Sequence, residues 1–248
     1  MNTDTEILKK RFLELAEKPY YTFTDFLGLA EQSAFSEILP KLRGVTYKAF
    51  GGADGAERVM IRFGSSDEFG YEEDFPITCI KVSPLSQKFA DKLTHRDFLG
   101  ALLNLGIERS TLGDIVIIDN VGYIFAKEEI AQFITDELTR VKRTDVRAVI
   151  TDKLPDGELY RTERMKIQIS SERCDAIIAK VYSLSRDESL TLFKRRLVFI
   201  GGKLLENNSY NMKPGEKCSV RGYGRFIYRG YEGTTRKGRL CAEADVYV

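Results

Sequence analysis

The alternation of hydrophobic and polar residues divides the beginning of the chain into helical and extended segments. Residues 1–18 place apolar side chains at helical spacing, and TFTDFLGLAEQSAFSEILPKL continues the helical pattern as far as Pro40. VTYKAFGGADGAERVMIRFGS has β-prone flanks around a glycine-rich centre, which predicts a β-hairpin turning at residues 51–55. The acidic stretch SSDEFGYEEDF then predicts a boundary, so that residues 1–75 form an N-terminal α/β domain.

A second pattern begins at residue 76. PITCIKVSP, GDIVIID, VGYIFA and DVRAVITD are predicted strands, whereas HRDFLGALLNLG and KEEIAQFITDELTRV are predicted amphipathic helices. The resulting order β-α-β-β-α-β is that of the ferredoxin-like fold, to which RRM domains belong. We therefore predict an RRM-like domain over residues 76–168. Its third strand, VGYIFA, offers aromatic residues but little positive charge, so it does not by itself predict strong RNA binding.

The last third of the chain predicts a separate domain at residues 171–248. KLPDGELYRTERMKIQISS is predicted to be a turn-rich connector, and two short helices follow it. A capping box at Ser185 and Glu188 opens the second of these helices. LVFIGGKLL predicts a short strand and a turn, KPGE a turn, and KCSVRGYGRFIYRGYEG a single strand leaving it. The fold class expected for the whole chain is α+β with several domains.

Composition is that of a globular protein. Of the 248 residues 43% are hydrophobic and 30% are charged, and no apolar run approaches the roughly 20 residues of a membrane span. The N-terminus alternates charged and apolar residues unlike a secretory signal, so a cytoplasmic location is expected. The four cysteines are far apart in sequence and form no C-x-x-C pair, which argues against a zinc site and against a disulfide framework.

Charge is unevenly distributed along the chain. Residues 1–170 contain 23 Lys and Arg against 28 Asp and Glu, whereas residues 171–248 contain 15 against 9. Between Lys194 and Arg229 there are nine basic residues and only two acidic ones. This segregation, in a chain of net charge +1, indicates a C-terminal domain that faces a polyanion.

The stretch SVRGYGRFIY is close to the first RNA-binding motif of RRM domains. Residues 221–224 fit the opening of that motif and Tyr228 fits its end, but Arg225 lies where a stacking aromatic residue is expected. The preceding elements, two helices and a Gly-Lys turn, are not those of an RRM. We therefore interpret the stretch as a strand of another RNA-binding module.

The residues from 173 to 221 resemble the S4 RNA-binding domain in order and spacing. The matching positions are Arg173, Asp175, Ser185, Arg186, Lys194, Arg195, Arg196 and the segments 198–202, 214–216 and 219–221. Cys174 and Gly201 depart from the family pattern, where Leu and Asn are usual, and this puts fine contacts rather than the fold in doubt.

This resemblance implies a set of RNA contacts. Ser185 and Arg186 start a helix, which is a natural place for a phosphate, and the guanidinium groups of the outgoing strand can meet phosphates or stack on bases. The predicted RNA-binding residues are Arg173, Ser185, Arg186, Lys194, Arg195, Arg196, Lys203, Arg221, Tyr223 and Arg225.

Taken over its whole length, the chain resembles the YlmH family of S4 proteins. The phrase HRDFLGALLNLGIERSTLGDI, from His95 to Ile115, is the most specific part of the likeness. The resemblance implies association with the large ribosomal subunit carrying peptidyl-tRNA, in quality control of stalled translation. The implied partners are rRNA, tRNA or both. No membrane, small-molecule substrate, metal or cofactor is expected.

Two other classes of function stay open. An RNA-modifying enzyme, similar to a pseudouridine synthase or a methyltransferase, could use the S4 module to hold its substrate. It would need a pocket near residues 51–55 or near His95, but Asp97 is poorly placed on a helix to orient that histidine as a base. The glycine-rich stretch also lacks the Lys-Ser/Thr ending of a phosphate loop. We predict no catalytic residue. A division or scaffold protein without RNA would leave the charge segregation unexplained.

Overall fold

Three antiparallel β-sheets organise the residues that the structure describes, and each buries apolar side chains on at least one face. In this computed structural model those residues are 3–154 and 159–247. The chain divides into two units, Met1–Leu159 and Tyr160–Val248. The first unit contains a three-stranded and a five-stranded sheet, and the second contains a six-stranded sheet.

The first part of the first unit packs two helices against a sheet of order β1-β3-β2. Its elements are α1 (Thr3–Ala16), β1 (Thr22–Phe23), α2 (Leu29–Ile38), β2 (Tyr47–Phe50), β3 (Met60–Phe63) and α3 (Ser66–Phe69). Phe12 of α1 and Phe35 of α2 meet edge to face in the core, with ring centroids 5.4 Å apart. The pairing of β2 with β3 confirms the predicted hairpin. The segment predicted as helical from residue 22 begins instead with β1, because this strand pairs with β3.

The second part of this unit has the predicted element order β-α-β-β-α-β, with one additional two-residue strand, Arg140–Val141, before the last strand. Its elements are β4 (Ile77–Pro84), α4 (His95–Asn104), β5 (Leu112–Ile118), β6 (Val121–Lys127), α5 (Glu128–Glu137), β7 (Arg140–Val141) and β8 (Thr144–Ile150). The strands form a sheet of order β5-β6-β4-β8-β7, and each neighbouring pair is antiparallel. Ile80 and Ile124 of the sheet pack against Phe98 of α4 and Ile134 of α5.

The opposite face of the five-stranded sheet is covered. In RRM domains this face carries the aromatic rings on which bases stack. Here Tyr123 and Phe125 of β6 are only 7% and 2% exposed, and Ala53 and Leu159 pack against them. Gly52 lies so close that an added Cβ would be 2.3 Å from the Phe125 ring. The loop of the β2–β3 hairpin therefore covers rings that an RRM would offer to a base.

Hydrogen bonds to the Asp114 side chain connect the β2–β3 hairpin to the five-stranded sheet. The Asp114 carboxylate accepts the backbone N–H groups of Glu57 at 2.7 Å and Arg58 at 3.0 Å. The Arg58 guanidinium in turn donates to the carbonyls of Phe26 at 2.8 Å and Leu112 at 2.9 Å. Asp114 lies in the phrase that carries the family resemblance, so part of that phrase has a structural role.

In the second unit two helices pack on one face of a sheet of order β11-β10-β12-β13-β14-β9. Its elements are β9 (Thr162–Ile169), α6 (Cys174–Val181), α7 (Arg186–Lys194), β10 (Val198–Ile200), β11 (Lys203–Leu204), β12 (Lys217–Val220), β13 (Gly224–Thr234) and β14 (Leu240–Tyr247). Ile177 of α6, Phe193 of α7 and Phe226 of β13 are buried in the core between them.

Two segments of this unit differ from their predictions. The stretch predicted as a turn-rich connector contains β9, which pairs along its whole length with β14. The local pattern could not reveal this strand, because its partner is the last strand of the unit. KCSVRGYGRFIYRGYEG was expected to be one strand but forms two, β12 and β13, because Gly222, at a φ of +85°, turns the chain between them. The three predicted domain ranges stay predictions.

Replacing Gly52 by Ala should destabilise the first unit by about 2–4 kcal/mol, because the new methyl group meets the Phe125 ring and the backbone φ is +94°. Gly44→Ala is the matched control, since Gly44 also has a positive φ (+82°) but nothing within 4 Å of the added Cβ. It should cost only about 1 kcal/mol. Urea unfolding of the full chain measures both changes, and equal losses would contradict the packing of the loop on the sheet.

Candidate nucleic-acid interface

A capping box fixes the start of α7, as the sequence predicts. The Ser185 hydroxyl donates to the Glu188 carboxylate at 2.7 Å and accepts the Glu188 N–H at 3.3 Å. These bonds from Ser185 hold the pKa of Glu188 below its usual value. A carboxylate thus lies at the helix N-terminus, where a phosphate would otherwise bind. The contact expected at this end therefore rests on Arg186, which is exposed and has no ion-pair partner among the described residues.

The other end of α7 presents several cations to solvent. Lys194 and Arg195 are exposed, and neither has an ion-pair partner in the described part of the chain. Arg196 places its Nε 3.6 Å from a carboxylate oxygen of Glu206, and such a contact between two exposed groups is weak. Lys203 is exposed at the start of β11. These four cations keep most of their charge available to a polyanion.

The turn between β12 and β13 lies next to this basic helix end. The backbone N–H of Arg221 donates to the Leu197 carbonyl at 2.9 Å, and the Arg221 guanidinium lies 5.2 Å from the centroid of the Phe199 ring. Tyr223 is 47% exposed, and its ring centroid is 5.6 Å from that of Tyr182. A turn with an exposed ring and an exposed guanidinium is suited to stacking on an unpaired base and to phosphate contacts.

Arg173, in contrast, is half-buried and paired with a carboxylate of its own unit. Its guanidinium donates two hydrogen bonds to the Asp175 carboxylate, at 3.0 and 2.7 Å. Burial acts to raise the pKa of Asp175, but hydrogen bonds from Arg173 and Asn208 outweigh that effect and lower it. Arg173 thus neutralises a buried carboxylate at the start of α6, and we do not retain it as an RNA contact.

Arg225 is also withdrawn from solvent. It is 8% exposed, and its guanidinium lies 4.1 Å from the centroid of the Tyr247 ring and 4.7 Å from that of Tyr160. Cation–π contacts of this kind are strongest when they are desolvated. The sequence analysis predicted that Arg225 contacts RNA. Its guanidinium instead packs against two tyrosine rings on the outer face of the sheet, which is the face opposite the helices.

Two further arginines of that outer face are paired with carboxylates. The Asp245 carboxylate accepts hydrogen bonds from Arg164 and, at 2.7 Å, from Arg229. Arg164 also pairs with Glu243 at 2.7 Å. The bond from Arg164 and then that from Arg229 lower the pKa of Asp245 against the opposing effect of burial. Arg164 and Arg229 are therefore engaged by carboxylates of the sheet itself.

The structure also shows a group of cations that the sequence analysis missed. Arg236, Lys237 and Arg239 form the turn between β13 and β14, and we refer to these three residues as the basic tip. All three are exposed and have no ion-pair partner among the described residues. A signal was present, because the sequence has no Asp or Glu between Glu232 and Glu243. The S4 resemblance ends at residue 221, so the family pattern does not include these three cations.

The residues considered for catalysis have structural contacts. The Asp97 carboxylate accepts the N–H and the hydroxyl of Thr94, at 2.8 and 2.7 Å, and so caps α4 rather than orienting His95. Burial, followed by the charge of Arg109, lowers the pKa of His95. Within the described ranges no group of three or more His, Cys, Asp or Glu could hold a metal ion. Nor is any helix of those ranges long and apolar enough to cross a bilayer.

Comparisons with known proteins agree with the resemblance noted from the sequence. Residues 71–153 match a family described as the putative RNA-binding domain in YlmH. Over 224 residues, 87% of this chain and 83% of the other, the chain is 31% identical to the ribosome-associated protein quality control protein P2 of Bacillus subtilis (strain 168). It is also similar to the solved structure of the cell division protein ylmH from Streptococcus pneumoniae, with 23% identity and a TM-score of 0.46 over 61% of this chain and 93% of that chain.

The pairing at Asp245 predicts a pH dependence of stability. Because its folded pKa is depressed, the ionised carboxylate stabilises the fold above its ordinary pKa of about 4, and this contribution is lost as the pH falls through the lower folded value. Asp245→Asn should lower the Tm at pH 7 by a few degrees and flatten the profile below pH 4.

Thermal unfolding of the full chain between pH 7 and pH 2.5, followed by circular dichroism, measures this effect. Glu232→Gln is the control, because Glu232 is exposed and has no ion-pair partner among the described residues. A pH profile of Asp245→Asn that parallels the wild type would show that the network does not stabilise the unit.

Proposed function

Because the chain belongs to the YlmH family, together with the ribosome-associated protein quality control protein P2 of Bacillus subtilis, we propose that it binds RNA on the ribosome and acts in ribosome-associated quality control in the cytoplasm. The observation that carries the proposal is the group of exposed cations in the second unit that have no close carboxylate partner. Those that lie on α7 or in the two turns after it are Arg186, Lys194, Arg195, Lys203 and Arg221.

The second unit is proposed to be an S4 domain. In its support, the helix pair α6–α7, the glycine turn at residues 201–202 and the β12–β13 turn follow one another in the S4 order. The backbone N–H of Arg221 donates to the Leu197 carbonyl, which places the β12–β13 turn beside the basic end of α7. Lys194, Arg195 and Arg221 can therefore contact the same ligand. The pairing of β9 with β14 supports including the residues from about 160 in this proposed domain, in addition to the predicted 171–248.

The first unit is proposed to contain the N-terminal α/β domain, residues 1–75, and a ferredoxin-like domain that begins at residue 76. The antiparallel strand order β5-β6-β4-β8 supports the second assignment. The matched family attributes RNA binding to residues 71–153. Because Tyr123 and Phe125 are covered, any RNA contact of this domain has to use a surface other than the stacking face of RRM proteins.

The proposed ligand is structured RNA of the large ribosomal subunit, peptidyl-tRNA, or both, on ribosomes whose translation has stalled. This choice follows the resemblance to the family. The arrangement of the site is compatible with it, since separated phosphate contacts and one exposed ring suit a folded RNA better than a run of unstructured bases. Binding of this kind requires no cofactor and no small-molecule substrate.

Replacing Lys194 and Arg195 together by Gln should weaken binding to purified Bacillus subtilis ribosomes, because two phosphate neutralisations are lost. The slope of log affinity against log salt concentration should become shallower by about 2, with a loss of affinity of about tenfold or more near physiological salt. Salt titrations and co-sedimentation measure the two effects. Arg186→Ala tests the start of α7 separately.

The matched control replaces Lys18 and Arg43 by Gln, since both are exposed in the first unit and have no ion-pair partner among the described residues. This variant should keep both the slope and the affinity. If the Lys194/Arg195 variant and Arg186→Ala both bind and co-sediment like the wild type, the proposed interface is wrong.

A further inference from the structure

The basic tip is a second concentration of unpaired charge in the C-terminal unit. Its three cations fall within four residues, and the turn is closed by its own backbone, since Thr235 donates its N–H to the Arg239 carbonyl at 2.7 Å. The Arg239 N–H donates to the Thr235 hydroxyl at 3.0 Å. The side chains of the tip therefore take no part in forming the turn, and their charges are not needed for the fold.

The tip is far from the turn at residues 221–223. β13 begins directly after that turn, at Gly224, and ends at Thr234, directly before the tip. At about 3.3 Å per residue, and allowing for its two register shifts, the strand separates the two turns by about 30 Å. The surface between them on the outer face holds Arg164 and Arg229, which are paired with Asp245 and Glu243. Arg221 at one end of β13 and the tip cations at its other end have, in contrast, no carboxylate partner among the described residues.

The tip also adjoins a cavity of about 300 Å³ that has further cations. Leu240, at the base of the tip, pairs with Ile169, and Ile169 lines this cavity. Lys180 and Arg186 are at its wall, both exposed and without an ion-pair partner in the described residues. Arg186 already belongs to the group that carries the proposed function, so Lys180 is the cation that this cavity adds beside the base of the hairpin. This juxtaposition is typical of a surface that follows a phosphate backbone.

We propose that the basic tip binds a second stretch of RNA backbone, about 30 Å along the sheet from the stretch bound at the β12–β13 turn. The inference rests on the proposed function, because it assumes that the first contact is made to RNA. Double-stranded RNA-binding modules reach two successive grooves across a comparable span. With the tip, the domain contacts its RNA at two separate points instead of one. Two points of contact fix the orientation of the domain on the RNA.

The first experiment replaces Arg236, Lys237 and Arg239 together by Gln and titrates salt with purified Bacillus subtilis ribosomes. The slope should become shallower by about 2 to 3, and the affinity near physiological salt should fall at least tenfold. Replacement of Lys18, Arg43 and Lys48 by Gln is the control of equal charge, on exposed side chains of the first unit. Because the tip side chains make no folding contact, the tip variant should unfold at the wild-type Tm.

The two proposals fail in different ways. If the Lys194/Arg195 variant weakens binding and the tip variant does not, the proposed function stands and the second contact is refuted. If neither weakens binding, both are refuted. A tip variant whose loss of affinity equals that of the control would show a nonspecific effect of net charge and would also overturn the inference.

The second experiment locates the contacts by directed hydroxyl-radical cleavage. Cys241 is the one exposed cysteine among the described residues and is first replaced by Ser, while Cys79, Cys174 and Cys218 are buried. An iron chelate is then attached at Lys237→Cys or at Tyr223→Cys. We expect each to cleave ribosomal RNA, at separate sets of nucleotides. Cleavage from Tyr223→Cys alone, or cleavage of a ribosomal protein but not of RNA from Lys237→Cys, would overturn the second RNA contact.

Discussion

Two buried carboxylates, Asp175 and Asp245, hold three arginines of the second unit in internal ion pairs, so that these cations are not available to a polyanion. Asp175 holds Arg173, and Asp245 holds both Arg164 and Arg229. A buried carboxylate without a partner is costly, so these arginines are committed whenever the unit is folded. The charges that remain free lie on turns and helix ends. The basic residues of the second unit thus fall into two groups. One group stabilises the fold through internal ion pairs, and the other is available to bind a polyanion.

The sequence predicted those features that depend on neighbouring residues. The Ser185–Glu188 cap, the hairpin at residues 51–55 and the helix and strand order after residue 76 all arise from local patterns, and the structure contains each of them. β9 was missed because its partner strand is distant in the chain. The covering of Tyr123 and Phe125 was missed for the same reason, since the loop that covers them belongs to a different part of the unit.

In the candidate site too, contacts between residues distant in the sequence could not be predicted, and here they determine which side chains are exposed. Arg221 and Arg225 lie four residues apart and have the same chemistry, yet the first is exposed on a turn and the second is enclosed by two tyrosines. Tyr160 and Tyr247 come from opposite ends of the unit, so no spacing rule could identify them. The family pattern predicted this region as the interface, whereas the availability of each charge depends on tertiary contacts.

The pairing of β9 with β14 joins the first strand of the second unit to its last. Arg164 and Asp245, which meet across this pair, are 81 positions apart. During synthesis at 5–20 residues per second, β9 leaves the ribosome roughly 4–16 s before its partner. During that interval β9 lacks its partner strand, and its apolar side chains lack the contacts that bury them in the folded unit. A nascent chain cut short before β14 would lack both this cover and the carboxylate that neutralises Arg164, so it would be a natural substrate for proteolysis.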